Sequence, residues 1–286
     1  MAAVDIVMPV YNGAEYLEGA LASLSEQSFT DLRIIISDNA STDATPAIIA
    51  AWQARDPRII AHRQSENIGA LANFNWVLQR AESPWVMFAC HDDLWSPDYV
   101  AALYTAATAK AGTWLAAPSM TLIHPDQSKK IWLFDERVNA ARGLYRVYLS
   151  LMHVTSGWYY GLYDRQALLI QWQASQGFQH AWGGDFIVLL PFLLSGRVRG
   201  NNAATYYKRE TPLSAARYKP KTLPDQFDLY RSFLSESLRA LRASPLPLWE
   251  QLVVAPLLLI YTNRHAWKLR RLIRSAILRC LCITPP

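Results

Sequence analysis

Residues Ser83–Asp98, SPWVMFACHDDLWSPD, set a short apolar run against a cluster of charge. Trp85 to Cys90 is almost fully apolar and reads as a strand buried on both faces, as inside a parallel sheet. His91, Asp92 and Asp93 follow directly. A helix start comes next, with Ser96 as N-cap and Pro97 at the first helical position. Open α/β sheets bind their ligands beyond the carboxyl ends of the strands. Two adjacent carboxylates at such an end ask for a cation. Capping the next helix would be their plainer use, but Ser96 already supplies a cap.

The residues upstream repeat the pattern. Val4 to Pro9 (VDIVMP) is a strand, ended by Pro9 and the turn Tyr11-Asn12-Gly13. Leu17, Ala20, Leu21 and Leu24 follow at helical spacing. Leu32 to Ser37 is a second strand, closed by the polar run Asp38 to Asp43 and a helix through Pro46, Ile48 and Ile49. Arg58 to Arg63 is a third, leading through Asn67-Ile68-Gly69 into a helix with Leu71, Phe74, Val77 and Leu78. Strand and helix alternate every 20–30 residues, which predicts a doubly wound, mainly parallel α/β sheet flanked by helices. Tyr11 and Asn12, Asp38, Asn67 and Asp92 then gather along one edge of it. No Gly-x-Gly-x-x-Gly follows the first strand and no Gly-Lys-Ser/Thr occurs. That disfavours dinucleotide-redox and P-loop chemistry.

Composition sets bounds on the rest. The 286 residues are 51% hydrophobic and 18% charged, which suits a packed globular chain and not a disordered one. Eleven Trp and fourteen Tyr fill core, but aromatic faces also suit sugar rings and membrane interfaces. The opening MAAVDIVMPV lacks the features of a signal peptide. Cys90, Cys280 and Cys282 make no disulfide framework, and a reducing cytoplasm is the expected setting. No apolar segment reaches the roughly 20 residues of a membrane span. Net charge is +5, and Arg264 to Arg279 holds six Lys or Arg and no acid. Such a face suits nucleic acid or anionic lipid.

The series PVYNGAEYL, SDNASTDAT, ENIGALANFN and HDDLWSPD resembles the family 2 nucleotide-sugar glycosyltransferases of the GT-A (Rossmann-like) fold. The blocks come in the family's order and spacing over residues 4–110. By this resemblance, Pro9, Val10, Tyr11 and Asn12 lie along the nucleoside, and Asn67 and Gly69 let backbone and amide approach it. Asp38 matches the family acid that accepts a hydrogen bond from the base. A carboxylate is acceptor-only, so it selects a base with a ring N–H, such as the uracil of UDP or the thymine of dTDP. An Asx-type turn is the alternative use, for which Asp43 is better placed. Asn73 reads as a surface residue.

Asp92 matches the carboxylate of the family's Asp-x-Asp metal motif, with Asp93 beside it and Cys90 in place of the first Asp. The resemblance implies a divalent cation, Mg²⁺ or Mn²⁺, on Asp92 and Asp93, with His91 facing ribose or phosphate. A cation there stabilises the charge that develops on a departing nucleoside diphosphate.

Further on, Lys129 to Phe134 reads as a strand and Gly143 to Leu151 as a helix. Ser156 to Leu162 (SGWYYGL) is either an acceptor-contact segment, through Trp158 and Tyr159, or a buried strand with glycines at tight spots. Gln179 to Asp185 (QHAWGGD) opens the apolar helix Phe186–Leu194. Asp185 sits where a carboxylate favours a helix start. It also matches the second acid of the family's catalytic pair, the base of an inverting transfer, while Gly184 replaces the first acid. Trp182 is an acceptor candidate, and Asp164 the next candidate for the base. Thr205 to Arg209 is a last strand, with Lys208 and Arg209 placed for phosphate. Glu210 to Thr222 has the composition of a lid.

The expected organisation is a catalytic domain over 1–222, with a nucleotide half (1–110) and an acceptor half (111–222). A C-terminal helical extension follows over 223–286. The reading is transfer from a nucleotide diphospho-sugar to a glycan or lipid-linked acceptor in surface polysaccharide assembly, in the cytoplasm or peripherally on the inner membrane face. Nucleic acid is not an expected partner. Two rivals stand beside it: a sugar-phosphate nucleotidyltransferase, which lacks its Gly-rich basic loop after the first strand, and a non-catalytic membrane- or nucleic-acid-binding module built on the basic tail.

Overall fold

A computed structural model of the chain describes residues 2–211, 219–269 and 271–273. Its first part alternates strictly: β1 (Val4–Val10), α1 (Ala14–Ser25), β2 (Leu32–Asp38), α2 (Thr45–Arg55), β3 (Ile59–Arg63), α3 (Ala70–Leu78) and β4 (Trp85–Phe88). Then come β5 (Leu94–Trp95), α4 (Tyr99–Thr108), β6 (Leu115–Ile123), β7 (Lys129–Trp132), α5 (Arg137–Ala140) and α6 (Gly143–His153). A 3₁₀ helix (Ser156–Tyr160) precedes β8 (Leu162–Asp164), α7 (Arg165–Ser175), α8 (Gly184–Ser195) and β9 (Val198–Arg209). Two long helices close the description, α9 (Leu223–Arg242) and α10 (Leu248–His265).

The chain forms two compact units. The first comprises the residues up to Asn139 with Gly157–Ile170 and Arg197–Glu210; the second comprises Ala140–Ser156, Gln171–Gly196 and the residues from Thr211 onward. This grouping cuts across residue 222, because two earlier segments cluster with the C-terminal helices.

All strands among the described residues belong to the first unit, in the order β3-β2-β1-β4-β8-β6-β9-β5, with β7 paired to β6. The four strands read from the N-terminal half pair in parallel. Beyond β4 the sheet is mixed: β8 runs antiparallel to β4 and β6, while β9 is parallel to β6. Every residue of β1 is buried. Val4, Ile6, Met8 and Val10 share one face of it and pack with Leu17 and Leu21 of α1 and Leu103 of α4. Each such side chain contributes roughly 1.5–3 kcal/mol on burial.

The expected strand Trp85–Cys90 is shorter than its apolar run, ending at Phe88. The chain then turns so that Leu94 and Trp95 pair with β9. Ser96 is consequently not a helix cap. Its hydroxyl accepts the Thr205 N–H at 3.1 Å, and α4 begins only at Tyr99 after Asp98.

In the second unit, α8 contributes Leu189, Leu190, Leu193 and Leu194 to a core shared with Val147 and Leu151 of α6, Phe233 of α9 and Leu258 of α10. Helix α10 runs through Pro256 without a break. Pro256 lies on the exposed side, where solvent can take up the carbonyl its ring leaves without a helical donor. The basic run over 264–279, and with it the end of the expected helical extension, lies partly outside the described residues, as does most of the predicted lid.

One buried carboxylate pins the parallel strands. Asp5 of β1 receives Arg33 of β2 through two bonds of 2.8 Å, in direct register with it. It also receives the N–H groups of Glu82 and Ser83 and the Ser83 hydroxyl, just before β4. Burial alone would raise the Asp5 pKa, but Arg33 and the amide donors outweigh it and hold the carboxyl below its usual 3.8. With a lowered folded-state value, this stabilisation is complete above pH 3.8 and fades as pH falls through the folded pKa. Breaking a buried pair by removing one partner costs about 3–5 kcal/mol. Asp5→Ala is therefore expected to lose that much stability in denaturant titrations at pH 7, with a smaller difference from wild type at pH 3.

Candidate active site

The site is built in the first unit, at the carboxyl ends of β1, β2 and β4. The loop after β1 is stitched to the loop after β2. Asn12, held at φ +49°, donates its N–H to Ser41 Oγ at 2.9 Å, and its side-chain oxygen accepts Thr42 N–H at 2.8 Å. Gly13 N–H and Ala14 N–H continue the seam to Thr45 Oγ1 and Asp43 Oδ2. The loop after β3 is tied on through Asn39. Its amide donates to Asn67 Oδ1 at 2.9 Å and its oxygen accepts Ile68 N–H at 2.9 Å. Asn67 Oδ1 also accepts Gly69 N–H, and Gly69 sits at φ +85°, a left-handed value that favours glycine.

Asp38 is buried at the end of β2. Its Oδ1 accepts Ser41 N–H, three residues on, at 3.0 Å, while Asp43 Oδ1 accepts Thr45 N–H at 3.0 Å and so makes the Asx-type turn expected of it at the start of α2. Asp38 Oδ2 has no hydrogen-bond partner among the described residues and lies 3.7 Å from Arg63 Nε. One acceptor of a buried carboxylate thus lacks a hydrogen bond and is faced by the Arg63 guanidinium.

The acids after β4 differ from one another. Asp92 is half-buried, whereas Asp93 is buried, with Oδ2 receiving the Tyr206 hydroxyl and Oδ1 the Arg209 N–H at 2.9 Å. Burial, and then the charge of Asp92, push the Asp93 carboxyl up to about 7. Cys90 Sγ lies 3.1 Å from the Tyr160 hydroxyl. Burial, then the charges of Asp92 and Asp93, raise the Cys90 pKa well above its usual value, so it stays a thiol. Ligand atoms of Cys90, Asp92 and Asp93 all lie within 4.8 Å of one another. A hard divalent cation prefers oxygen, so this donor set suits Mg²⁺ or Mn²⁺ on the two carboxylates and leaves the protonated sulfur aside. His91 packs on Gly13, where an added Cβ would come within 2.6 Å of the ring. Burial lowers the His91 pKa against the charges of Asp92 and Asp43, which keeps the imidazole neutral at pH 7.

Residues 5–160 match the sequence profile described as Glycosyl transferase family 2. The chain belongs to glycosyltransferase family 2. Among curated relatives, it is 36% identical over 95 residues to the Bacillus subtilis protein TuaG, named as a teichuronic acid biosynthesis glycosyltransferase. That match covers 33% of this chain and 38% of TuaG. It is 35% identical over 115 residues to the abequosyltransferase RfbV of Salmonella typhimurium, covering 39% of this chain and 34% of RfbV. The chain thus spans little more than a third of the length of these relatives. Among solved structures, S. aureus TarS 1–349 in complex with UDP-GlcNAc superposes with a TM-score of 0.67 at 15% identity, over 91% of this chain and 72% of that one. The mannosyltransferase PcManGT from Pyrobaculum calidifontis, in complex with GDP-Man and Mn²⁺, gives 0.57 at 16% identity, over 100% and 77%. At such identities the likeness speaks for the fold, which is the GT-A fold of family 2 glycosyltransferases.

Within that fold, Val10, Asn12, Asp38, Asn67 and Gly69 are joined by the seam just described, directly or through Asn39, whose N–H donates to the Val10 carbonyl, and Pro9 stands opposite Ser37 in the β1–β2 ladder. Tyr11 is exposed at the same loop. Lys208 and Arg209 end β9 beside β6. The Arg209 guanidinium lies 5.1 Å over the Tyr16 ring, and its Nε and one terminal nitrogen are buried without a partner among the described residues.

Two expectations are corrected. Trp158 and Tyr159 lie on a 3₁₀ helix, not on a strand, and both are buried. Trp158 packs on Phe134 and Tyr159 stacks on Phe88, so their rings complete the core and have no face left for an acceptor. Asn73 is not a surface residue: it is buried and bonded to the Ser37 hydroxyl and carbonyl.

Asp185 and Trp182 belong to the second unit. Asp185 lies in the first turn of α8 with Oδ1 accepting Phe186 N–H at 3.0 Å. That turn is braced from α10, where the Tyr261 hydroxyl donates to the Phe186 carbonyl and His265 stacks on the Phe186 ring at 3.9 Å. Trp182 donates its indole N–H to the Ala266 carbonyl and lines a cavity of about 460 Å³ with His180, Lys219, Lys221 and Asp228.

Asn39 and Tyr206 escaped the sequence reading. Asn39 stands beside Asp38 in a run that reads as turn composition, and nothing local shows that the loops after β2 and β3 meet on it. Leaving Ile68 N–H and the Asn67 oxygen without their partner costs about 1–3 kcal/mol. Asn39→Ala is expected to lose stability in that range in denaturant unfolding, and to speed amide exchange at Ile68 relative to the β1 core.

Proposed function

We propose that this family 2 chain is a metal-dependent, inverting glycosyltransferase that moves a sugar from a nucleotide diphospho-sugar, of UDP or dTDP type, to an acceptor hydroxyl. The observation that carries the reading is the oxygen of buried Asp38 that lacks a hydrogen bond, on the same carboxyl edge of the sheet as Asp92 and Asp93. A base with a ring N–H would donate to that oxygen, and Pro9, Val10, Tyr11, Asn12, Asn67 and Gly69 would line the nucleoside. Asp92 and Asp93 would hold Mg²⁺ or Mn²⁺, with neutral His91 beside them as a donor or acceptor to ribose or phosphate. When bound, the cation supplies charge stabilisation for the departing diphosphate. Lys208 and Arg209 would add positive charge for the same group.

Asp185 is the base of the reaction. Its carboxylate takes the proton of the acceptor hydroxyl as that oxygen forms a bond to the anomeric carbon. The bond from that carbon to the diphosphate breaks on the opposite face, and the nucleoside diphosphate leaves with the electron pair. Configuration inverts. Trp182, with its indole fixed by Ala266, offers an aromatic face to an acceptor sugar. In this reading residues 1–222 carry the chemistry, 1–110 mostly for the donor and 111–222 for the acceptor, with 223–286 as a helical extension. The named roles of TuaG and RfbV favour a surface glycan, lipid-linked or free, as acceptor.

The test is release of nucleoside diphosphate from a panel of UDP-, dTDP- and GDP-sugars with Mg²⁺ or Mn²⁺. Turnover with a UDP- or dTDP-sugar is expected, and loss of turnover on chelation. In calorimetric titrations with UDP and Mn²⁺, Asp92→Asn is expected to abolish metal-dependent affinity. Asp38→Ala should weaken UDP by roughly ten- to a hundredfold, the worth of one hydrogen bond to a charged acceptor. Equal weakening of ADP would remove the base-reading role from Asp38. Asp185→Asn is expected to keep donor affinity and lose roughly 10²–10⁴-fold in turnover, as a positioned general base does. Undiminished turnover in that variant would pass the role to another acid, with Asp164 next.

A further inference from the structure

Helix α10 buries only one of its faces. Val254, Leu258, Tyr261 and Thr262 point into the core of the second unit. Leu248, Trp249, Leu252, Val253, Leu259 and Ile260 are all exposed, Leu248 and Leu252 to 73% and 69%. At 100° per residue these six, with Pro256, fall in one stripe about 140° wide and about 18 Å long, opposite the buried face. Single exposed apolar residues are ordinary, whereas an unbroken stripe marks a contact surface.

Charge says what the contact is. After Glu250 the chain holds six Lys or Arg and no acid, although the whole chain carries only +5. The C-terminal segment therefore holds more than the entire surplus, and the rest is slightly acidic. Arg264, Lys268 and Arg271 lie among the described residues just beyond the stripe, all exposed, and interleave with exposed Leu269 and Ile273. Arg264 also donates to the Met152 carbonyl at 2.7 Å, which fixes that cation at the end of the helix. No helix of the described residues is long and apolar enough to cross a membrane.

We infer that the exposed face of α10 lies in the plane of an anionic lipid surface, with Leu248, Leu252, Val253, Leu259 and Ile260 in the acyl boundary. Trp249 sits at headgroup level, and Arg264, Lys268 and Arg271 lie against lipid phosphates. A second copy of the chain is the weaker occupant, because pairing would bring two strongly cationic segments together. The inference stands independently of the transfer reaction. If both hold, transfer takes place at the bilayer surface, where a lipid-linked acceptor resides.

Flotation of the full chain with vesicles tests it, comparing phosphatidylcholine alone with phosphatidylcholine containing phosphatidylglycerol. Expected is co-flotation with the anionic vesicles at low salt, reduced at high salt and absent with phosphatidylcholine alone. The pair Leu252→Asn with Leu259→Asn should lower vesicle-bound protein on the order of tenfold. Both positions are exposed, so the melting temperature should stay unchanged. The pair Lys268→Glu with Arg271→Glu probes the same contact without touching the stripe and should lose the anionic preference. The inference is overturned if the wild-type chain stays at the bottom with anionic vesicles, or if both pairs float as wild type does. Concentration-dependent pairing in sedimentation, removed by the apolar pair and unaccompanied by flotation, would assign the face to a second copy. Each of these outcomes can be read whether or not the chain turns over a nucleotide sugar.

Discussion

The arrangement depends on a charge placed where charge is expensive. Asp5 stands in a strand with no exposed residue, and its carboxylate is affordable only because Arg33 and the groups at Glu82 and Ser83 surround it. Those partners come from β2 and from the entrance to β4. Satisfying one carboxylate therefore sets three neighbouring strands in a single register. A one-residue slip would leave a buried ion unpaired and turn each strand's apolar face the wrong way. The opposite, carboxyl edge inherits this register, and the candidate site lies there.

At that edge, hydrogen bonds between loops replace regular structure. Asn12, Asn39 and Asn67 act as connectors, each accepting from backbone N–H groups of a loop or donating to its neighbour. Short amide side chains suit this role because they can copy a backbone turn and tolerate left-handed geometry. The result is a rim rigid enough to leave Asp38 with one oxygen hydrogen-bonded and one faced by the Arg63 guanidinium. The acids after β4 follow similar logic. Tyr206 and the Arg209 amide reach Asp93 from β9, so the far side of the sheet positions it. Asp92, half-buried, keeps the freer carboxylate.

The second unit solves a different problem, which is to anchor a helix start. Gly183, at φ +81°, turns the chain into α8 tightly against Phe233, and Phe186 is held by Tyr261 and His265. Burial, and next Arg264, push the His265 pKa to about 3, so this ring is a neutral packing element at any ordinary pH. Asp185 thereby stands on a well-braced turn. The same α10 that braces it carries the exposed stripe on its other face.

The order of strands β1 to β4, their parallel pairing and the polar residues at their carboxyl ends were legible in the sequence. Apolar runs of strand length alternate there with helical periodicity, and the period alone decides which kind of element can bury its face. Candidate residues such as Asp38, Asp92 and Asn67 were legible because the loops bearing them follow those strands directly. Other features depended on contacts between distant parts of the chain. Ser96 looked like a cap until β9 claimed its hydroxyl, and Trp158 and Tyr159 looked like contact aromatics until Phe134 and Phe88 enclosed them. The antiparallel insertion of β8, the bond from Tyr206 to Asp93 and the meeting of loops on Asn39 each join residues far apart in the chain. Local sequence determined which segments could be strands, helices and turns, because propensity and periodicity act over a few residues. Which polar side chains stayed open, which aromatics became core and which face of α10 remained bare was decided by tertiary packing, because burial is a property of neighbours that local sequence does not specify.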